Sequence, residues 1–333
     1  MKALSLTLLL ASLAAAQTPK AVVTGTGSFT SFVEDMDRTL AFYHEAFGME
    51  VPALPAPGQR PYNPANPQLF KFFDIAGAKE RHQSARIPNT RVTVEIMEIQ
   101  QVAHQTHALR VQDPGAAGLV FLVGDVDAVL ARAVQAKAAV ATPGGKPVAF
   151  PDGSRAVLIR DIDGRFIELR QVAAGGDIAD MRVSLAVNDL DATLRAYRDV
   201  LGFKVEGETK FTADAAMRSL TGLAKAEVRR ARVQAPGSQL WIELAEYRGV
   251  DRKPLVMKIQ DRGAARLQLR VQDTDAVTAA AKAAGLKIMS EGGIAQPIPP
   301  NFKGVLIADP NYFFLTPFAP CDGCAPTIGG GTK

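Results

Sequence analysis

Self-repetition constrains this chain more than any other feature. Asp35-Met-Asp37-Arg-Thr-Leu-Ala-Phe-Tyr43 returns as Asp189-Leu-Asp191-Ala-Thr-Leu-Arg-Ala-Tyr197, and both copies run on to a glycine, Gly48 and Gly202. Later matches pair Gln112-Asp113 with Gln260-Asp261, Gly115 with Gly263, Asp125-Val-Asp127 with Asp273-Thr-Asp275, and Asp161 with Asp309. The first match is offset by 154 residues and the later ones by 148, and the difference falls in the Pro-rich stretch from Pro52 to Gln68. Self-similarity of this kind is the signature of duplicated units, and it decides the architecture before composition is consulted. Two homologous domains are expected, at 22–172 and 178–318, joined near Ala173-Ala-Gly-Gly176 and followed by a tail, 319–333. At 333 residues the chain is long enough to bury a core in each.

Each domain contains a further half-repeat. A strand ending in Val-x-Asp leads into an amphipathic helix at Val33-Glu-Asp35, Val123-Gly-Asp125, Val187-Asn-Asp189 and Val271-Gln-Asp273. The aspartate is suited to cap each helix by accepting a first-turn amide. Strand patterns follow each helix, for example VTVEIMEI, AVLIRDIDGRFIELR, QLWIELAEY and GVLIADPNYFFLTPF. The fold class is therefore α+β, with four βαβββ modules.

This organisation resembles the vicinal oxygen chelate superfamily of glyoxalase I, extradiol dioxygenases and bleomycin-resistance proteins. The Asp-x-Asp…Tyr segments, Leu201-Gly202-Phe203, the Gln-Asp-x-Gly segments and Asp161-Ile-Asp-Gly…Glu168-Leu carry the resemblance, which spans nearly the whole mature chain. It implies modules paired into two cupped, glyoxalase-like sheets with a pocket in each cup. It also implies four metal ligands per cup in metal-using members. Two sit on first strands about seven residues before the capping aspartate, and two glutamates sit on last strands. Carried over by counting, the positions are Ser28, Glu95, Gly118 and Glu168 in the first domain, and Arg182, Glu243, Arg266 and Thr316 in the second.

That set is a poor metal site. Serine is a weak ligand, glycine has no side chain, and two arginines are cations where a cation would sit. No cofactor is expected, and the eight positions are read as lining ligand-binding cups. A divalent metal on Glu95 and Glu168 remains the alternative, since hard cations accept carboxylates and water. The same two glutamates are the candidates for acid–base catalysis, expected to be neighbours with at least one raised pKa. In the second domain Arg182 and Arg266 are expected around Glu243, either as salt bridges or as a clamp for an anion. His104 and His107 read as solvated loop residues, and His44 and His82 as exposed.

The N-terminal MKALSLTLLLASLAAAQ has a positive start, a short apolar stretch and small residues before Gln17, which reads as a signal peptide over 1–16, against the alternative of an uncleaved anchor. An exported, periplasmic or secreted protein is expected, with no membrane span after cleavage. In that compartment Cys321 and Cys324 are expected to form a local disulfide, with free thiols or an intermolecular bridge as alternatives. A net charge of +4 without a dense basic run argues against nucleic acid. The expected partner is a small-molecule ligand, and a homodimer stays open. Three functions follow: metal-free binding of a small organic molecule, a glyoxalase- or dioxygenase-like enzyme, or a scaffold with filled cups.

Overall fold

The computed structural model describes residues 22–52, 62, 67–88, 92–173, 177–298, 300–322 and 324. The expected signal peptide and the linker residues 174–176 lie outside them. The first module comprises β1 (Val23–Val33), α1 (Met36–Phe47), α2 (Pro67–Phe73), β2 (Lys79–Arg86) and β3 (Thr93–Gln100). The second comprises β4 (Ala117–Val123), α3 (Val126–Gln135), β5 (Ala139–Val140), β6 (Val148–Ala149), β7 (Arg155–Arg160) and β8 (Phe166–Gln171). The third has β9 (Asp180–Val187), α4 (Leu190–Leu194) running into a π-helical turn, β10 (Lys204–Glu206), α5 (Ala215–Thr221), β11 (Glu227–Gln234) and β12 (Trp241–Arg248). The fourth has β13 (Ala265–Val271), α6 (Thr274–Ala283), β14 (Lys287–Ile288), β15 (Gln296–Ile298), β16 (Phe302–Gly304), β17 (Ile307–Ala308) and β18 (Phe314–Pro320).

The capping expectation holds in every module. The side chains of Asp35, Asp125, Asp189 and Asp273 each accept a bond from a first-turn amide. One continuous apolar core takes the helix-facing sides of both sheets, from Phe29 and Leu267 to Phe121 and Val183. The opposite faces of the sheets are the cups.

The sheets do not follow the sequence halves. One sheet runs β14-β17-β18-β13-β1-β3-β2 and the other β10-β11-β12-β9-β4-β8-β7-β5. The first module therefore pairs with the fourth through the antiparallel β1–β13 ladder, and the second with the third through β4–β9. The connections explain this exchange. A short link from Gln171 to Asp180 keeps the second module beside the third, whereas the long segments 101–116 and 249–264 cross between the sheets.

Those crossing segments grip each other with the repeated Gln-Asp-x-Gly motifs. Asp113 accepts from the Lys253 amide and Asp261 from the Gln105 amide, at 2.8 and 2.9 Å. The Gln112 and Gln260 side chains donate to the Asp251 and Ala103 carbonyls, each at 3.3 Å. The glycines of the motif, Gly115 and Gly263, both have φ near +95°, a conformation open to a residue without Cβ. A Cβ on Gly115 would also lie 2.5 Å from the Asn311 carbonyl. The helix sides still join the halves: α1 packs on α3, and Phe47 meets Phe121 at 4.9 Å between ring centroids.

Candidate functional site

Because modules pair as first with fourth and second with third, the eight counted positions are redistributed. Cup I holds Glu95, Arg266 and Thr316; cup II holds Gly118, Glu168, Arg182 and Glu243. Glu95 and Glu168 stand on different sheets, so they are not the neighbouring pair that counting within a domain implied. Arg266 likewise belongs to cup I and does not reach Glu243.

In cup I, the β1–β3 and β1–β13 registers bring Glu95, Thr30 and Arg266 into one row. The Arg266 Nη2 donates to Glu95 Oε2 at 2.7 Å, and its Nε to Thr30 Oγ1 at 3.0 Å. Thr30 in turn donates to Glu95 at 2.6 Å. Burial alone would raise the Glu95 carboxyl, but the Arg266 charge and the Thr30 hydroxyl outweigh it, and the group is held below its ordinary value. This reverses the expectation of a raised carboxylate. Ser28 does not enter the cup; it bonds Thr93 in a neighbouring groove, because β1 is irregular between Thr26 and Phe29. Thr30 takes the place given to Ser28.

The Arg266 guanidinium lies 5.2 Å from the Phe73 ring centroid, so α2 gives this cup an aromatic wall. The remaining cavity, about 460 Å³, is lined by Phe72, His82, Met97, Phe302 and Thr316 among others. The His82 Nδ1 meets Glu80 at 2.9 Å, and that bond holds the imidazole above its usual pKa. The Thr316 hydroxyl is buried with no hydrogen-bond partner among the described residues.

In cup II the decisive residue is Arg170, which counting did not select. It stands two residues after Glu168 on β8, and alternation puts both on one face. Its Nε donates to Glu168 at 2.7 Å, and its two terminal nitrogens donate to Glu243, each at 3.1 Å. Arg182 adds a 2.6 Å bond to Glu243. Glu168 and Glu243, the two last-strand carboxylates of this cup, are thus bridged by a guanidinium. Burial would raise the Glu243 carboxyl, but the charges and bonds of Arg170 and Arg182 hold it below its ordinary value. Gly118 cannot be replaced by a ligand side chain without a shift. A Cβ there would lie 2.5 Å from the Phe166 carbonyl and 2.9 Å from Ser184 Oγ. Beside this network lies a cavity of about 290 Å³, with Leu158, Phe166, Leu220 and Tyr247 forming its apolar side.

The donor sets do not fit a resident metal. No group of three or more His, Cys, Asp or Glu converges among the described residues. In each cup the carboxylate a metal would use is already bound by arginine. The histidines behave unevenly. His44 is exposed, while His82 is largely exposed yet lines cup I. His104 lies 3.6 Å from Glu34. His107 is not a solvated residue: it pairs with the buried Asp261 at 3.1 Å, in the crossing that holds the modules. Cys321 and Cys324 are joined as a disulfide, with Cα atoms 5.5 Å apart.

Two cupped sheets built from four exchanged βαβββ modules define a two-domain glyoxalase-like fold. The sequence matches the Glyoxalase/Bleomycin resistance protein/Dioxygenase superfamily over residues 25–169 and 181–293, and the chain belongs to that superfamily. In structure it is similar to glyoxalase I from Zea mays, at 18% identity and a TM-score of 0.57, over 90% of this chain and 92% of that one. It is also similar to a putative dioxygenase from Bacillus subtilis, at 12% identity and a TM-score of 0.54, over 91% and 87%. At these identities the likeness concerns the fold alone. No curated protein matches the sequence.

Proposed function

We propose that this is an exported member of the superfamily that binds a small organic molecule in cup II without a metal ion. The observation that carries the reading is the Arg170 bridge between Glu168 and Glu243. It occupies both last-strand carboxylates and leaves a cavity that is polar on its floor and apolar on its side, the usual composition of a ligand pocket. Cup I keeps the larger cavity, but its glutamate is bound by Arg266 and Thr30 and its wall carries the α2 aromatics, so among the described residues it offers no comparable set of guanidinium groups. Export rests on the N-terminal segment alone. No helix among the described residues is long and apolar enough to cross a membrane.

The second reading, a metal-dependent lyase or dioxygenase, draws on the fact that Glu168 and Glu243 share one cup. It requires Arg170 to withdraw, stranding a guanidinium that two carboxylates now compensate. Elemental analysis of the chain purified from the periplasm of a metal-supplemented host separates the two. Substoichiometric metal, with a small molecule retained in native mass spectrometry, is the expected result. One equivalent of zinc, iron, manganese or nickel would end the metal-free reading. Mass spectrometry of the same material is expected to show an N-terminus at or near Gln17, and retention of Met1 would end the export reading.

A further inference from the structure

Four arginines line cup II, namely Arg170, Arg182, Arg230 and Arg232, against two glutamates, Glu168 and Glu243. Their commitments differ. Arg170 spends all three guanidinium nitrogens on Glu168 and Glu243, so it serves the bridge. Arg230 bonds Asp214 at 3.2 Å. Arg182 and Arg232 are each bound to a carboxylate through a single terminal nitrogen, Arg182 to Glu243 and Arg232 to Glu206, both at 2.6 Å. The Nε of each is buried and has no hydrogen-bond partner among the described residues. A buried donor left unpaired is costly, and a guanidinium presents its N–H groups as a planar fork suited to a planar anion. The β11–β12–β9 register sets these two arginines on either side of Glu243: Arg232 is its direct partner on β11, and Arg182 bonds it from β9.

We propose that cup II recognises an organic carboxylate, its head group held by Arg182 and Arg232 and its apolar body lying against Phe166, Leu220 and Tyr247. The proposal rests on the reading of cup II as a metal-free ligand site and adds the chemical class of the ligand. A cavity of about 290 Å³ is at the small end of ligand pockets, so the body is a single ring or a short chain. Arg232 also supplies a reporter. Its guanidinium lies 4.6 Å from the ring centroid of Trp241, the only tryptophan in the chain. An anion that engages Arg232 perturbs that contact and therefore the intrinsic fluorescence.

The test titrates the whole mature chain with three probes of one shape, 3-phenylpropionate, 3-phenylpropionamide and 3-phenylpropylamine, following Trp241 fluorescence and checking each by calorimetry. The carboxylate is expected to bind at least tenfold more tightly than the amide, and the amine more weakly than both. Arg232→Gln and Arg182→Gln should each weaken the carboxylate about tenfold and leave the amide unchanged, and Arg232→Lys should recover part of the loss. Arg232 is partly exposed at the rim, so its variants test the proposal even if Arg182→Gln does not fold. Equal or tighter binding of the amide or amine would overturn the carboxylate class while sparing the ligand cup. Carboxylate affinity unchanged in both Arg→Gln variants would overturn the assignment of those residues. Failure of all three probes overturns the carboxylate proposal for ligands of this size. Joined to one equivalent of bound metal, that failure removes the metal-free cup as well.

Discussion

The two cups started from one repeat and neutralised their charges by different routes. Glu95 and Glu243 are equivalent, and each is bonded to an arginine from a first strand. The arginines differ in origin: Arg266 comes from the fourth module, paired with the first that carries Glu95, whereas Arg182 comes from the third module, which also carries Glu243. Their own equivalents are Gly118 and Ser28, which carry no charge. On the last strands the contrast is sharper. Cup II has Glu168 and Arg170; cup I has Thr316 and Phe318 at the same places. A carboxylate and its guanidinium are present together or absent together. Charge in a half-buried cup is therefore kept or lost as a neutral set, because a stranded buried ion costs more than the pair contributes.

The largest test of this contrast removes the shared glutamate from each cup. In cup I, Glu95 and Arg266 are almost wholly buried, with side-chain exposures of 11% and 7%. Glu95→Ala would leave a guanidinium among aromatic rings and should cost about 3–5 kcal/mol in urea unfolding. In cup II the partners are more exposed, at 20–25%, and Arg170 would still be held by Glu168. Glu243→Ala should cost about 1–2 kcal/mol, discounted for solvent screening. Equal losses would show that the cups do not differ in the way their charges are compensated.

Asp161 and Asp309 provide the control, a pair that did not diverge. Each is buried in the turn before a last strand and accepts a tyrosine hydroxyl, from Tyr43 and Tyr197 at 3.3 and 3.2 Å. Burial pushes both carboxyls up to about 6. A raised folded-state pKa means that the folded chain binds the proton more tightly. The stability contributed is full below about pH 4 and is lost as pH rises to about 6, amounting to about 3 kcal/mol per group. Glu95 and Glu243 run the other way: their depressed values give stability that is lost as pH falls below the usual carboxylate range. Asp161→Asn and Asp309→Asn should each flatten the fall in stability between pH 4 and 6, by similar amounts, in urea titrations at stepped pH. An unchanged slope in either variant would refute the assignment for that residue.

Importing cup II's pair into cup I gives the next effect. Thr316→Glu would bury a second carboxylate where the one arginine among the described residues lining the cavity, Arg266, is already taken by Glu95. A loss of about 2–3 kcal/mol at pH 7 is expected. Adding Phe318→Arg should recover at least half, although Phe318 also packs on Phe302 at 5.8 Å between centroids. A double-mutant cycle measures the coupling, and additive losses would mean that the Glu-x-Arg spacing is not what stabilises cup II.

Much of this was legible in the sequence. The capping aspartates, the four modules and the faces of the strands follow from local rules of capping and alternation. The partner of each module was not legible, because β1 carries the same alternation whether it pairs with β4 or β13. Only the short 172–179 link, set against the long 101–116 segment, hinted at the exchange. Misplacing that one pairing put Glu95 beside Glu168 and Arg266 beside Glu243. Arg170 was visible as the second residue after Glu168 on the same face, but counting toward metal-ligand positions passed over it. Thr30 was passed over for the same reason, since Ser28 fell at the counted position while the irregular strand moved the site by two residues. The α2 aromatics beside cup I were hidden for another reason: α2 is matched by α5, but Phe72 and Phe73 correspond there to Leu220 and Thr221, so the repeat carried no aromatic signal.

The last contrast lies between the two threonines of cup I, and it ends in the smallest effect, that of Thr316. The Thr30 hydroxyl donates to Glu95 and accepts from Arg266, so Thr30→Val removes two bonds to charged groups and should cost about 1.5–3 kcal/mol. The Thr316 hydroxyl is buried with no bond among the described residues. An unsatisfied hydroxyl contributes only its desolvation cost, so Thr316→Val, nearly the same shape, should be neutral or stabilising by up to about 1 kcal/mol. Thr316 would then be the remnant of a position whose carboxylate went with its arginine, filling space and bonding nothing. A loss of 1 kcal/mol or more in Thr316→Val would show that the hydroxyl has a partner held in the cup, and cup I would have to be counted as an occupied site alongside cup II.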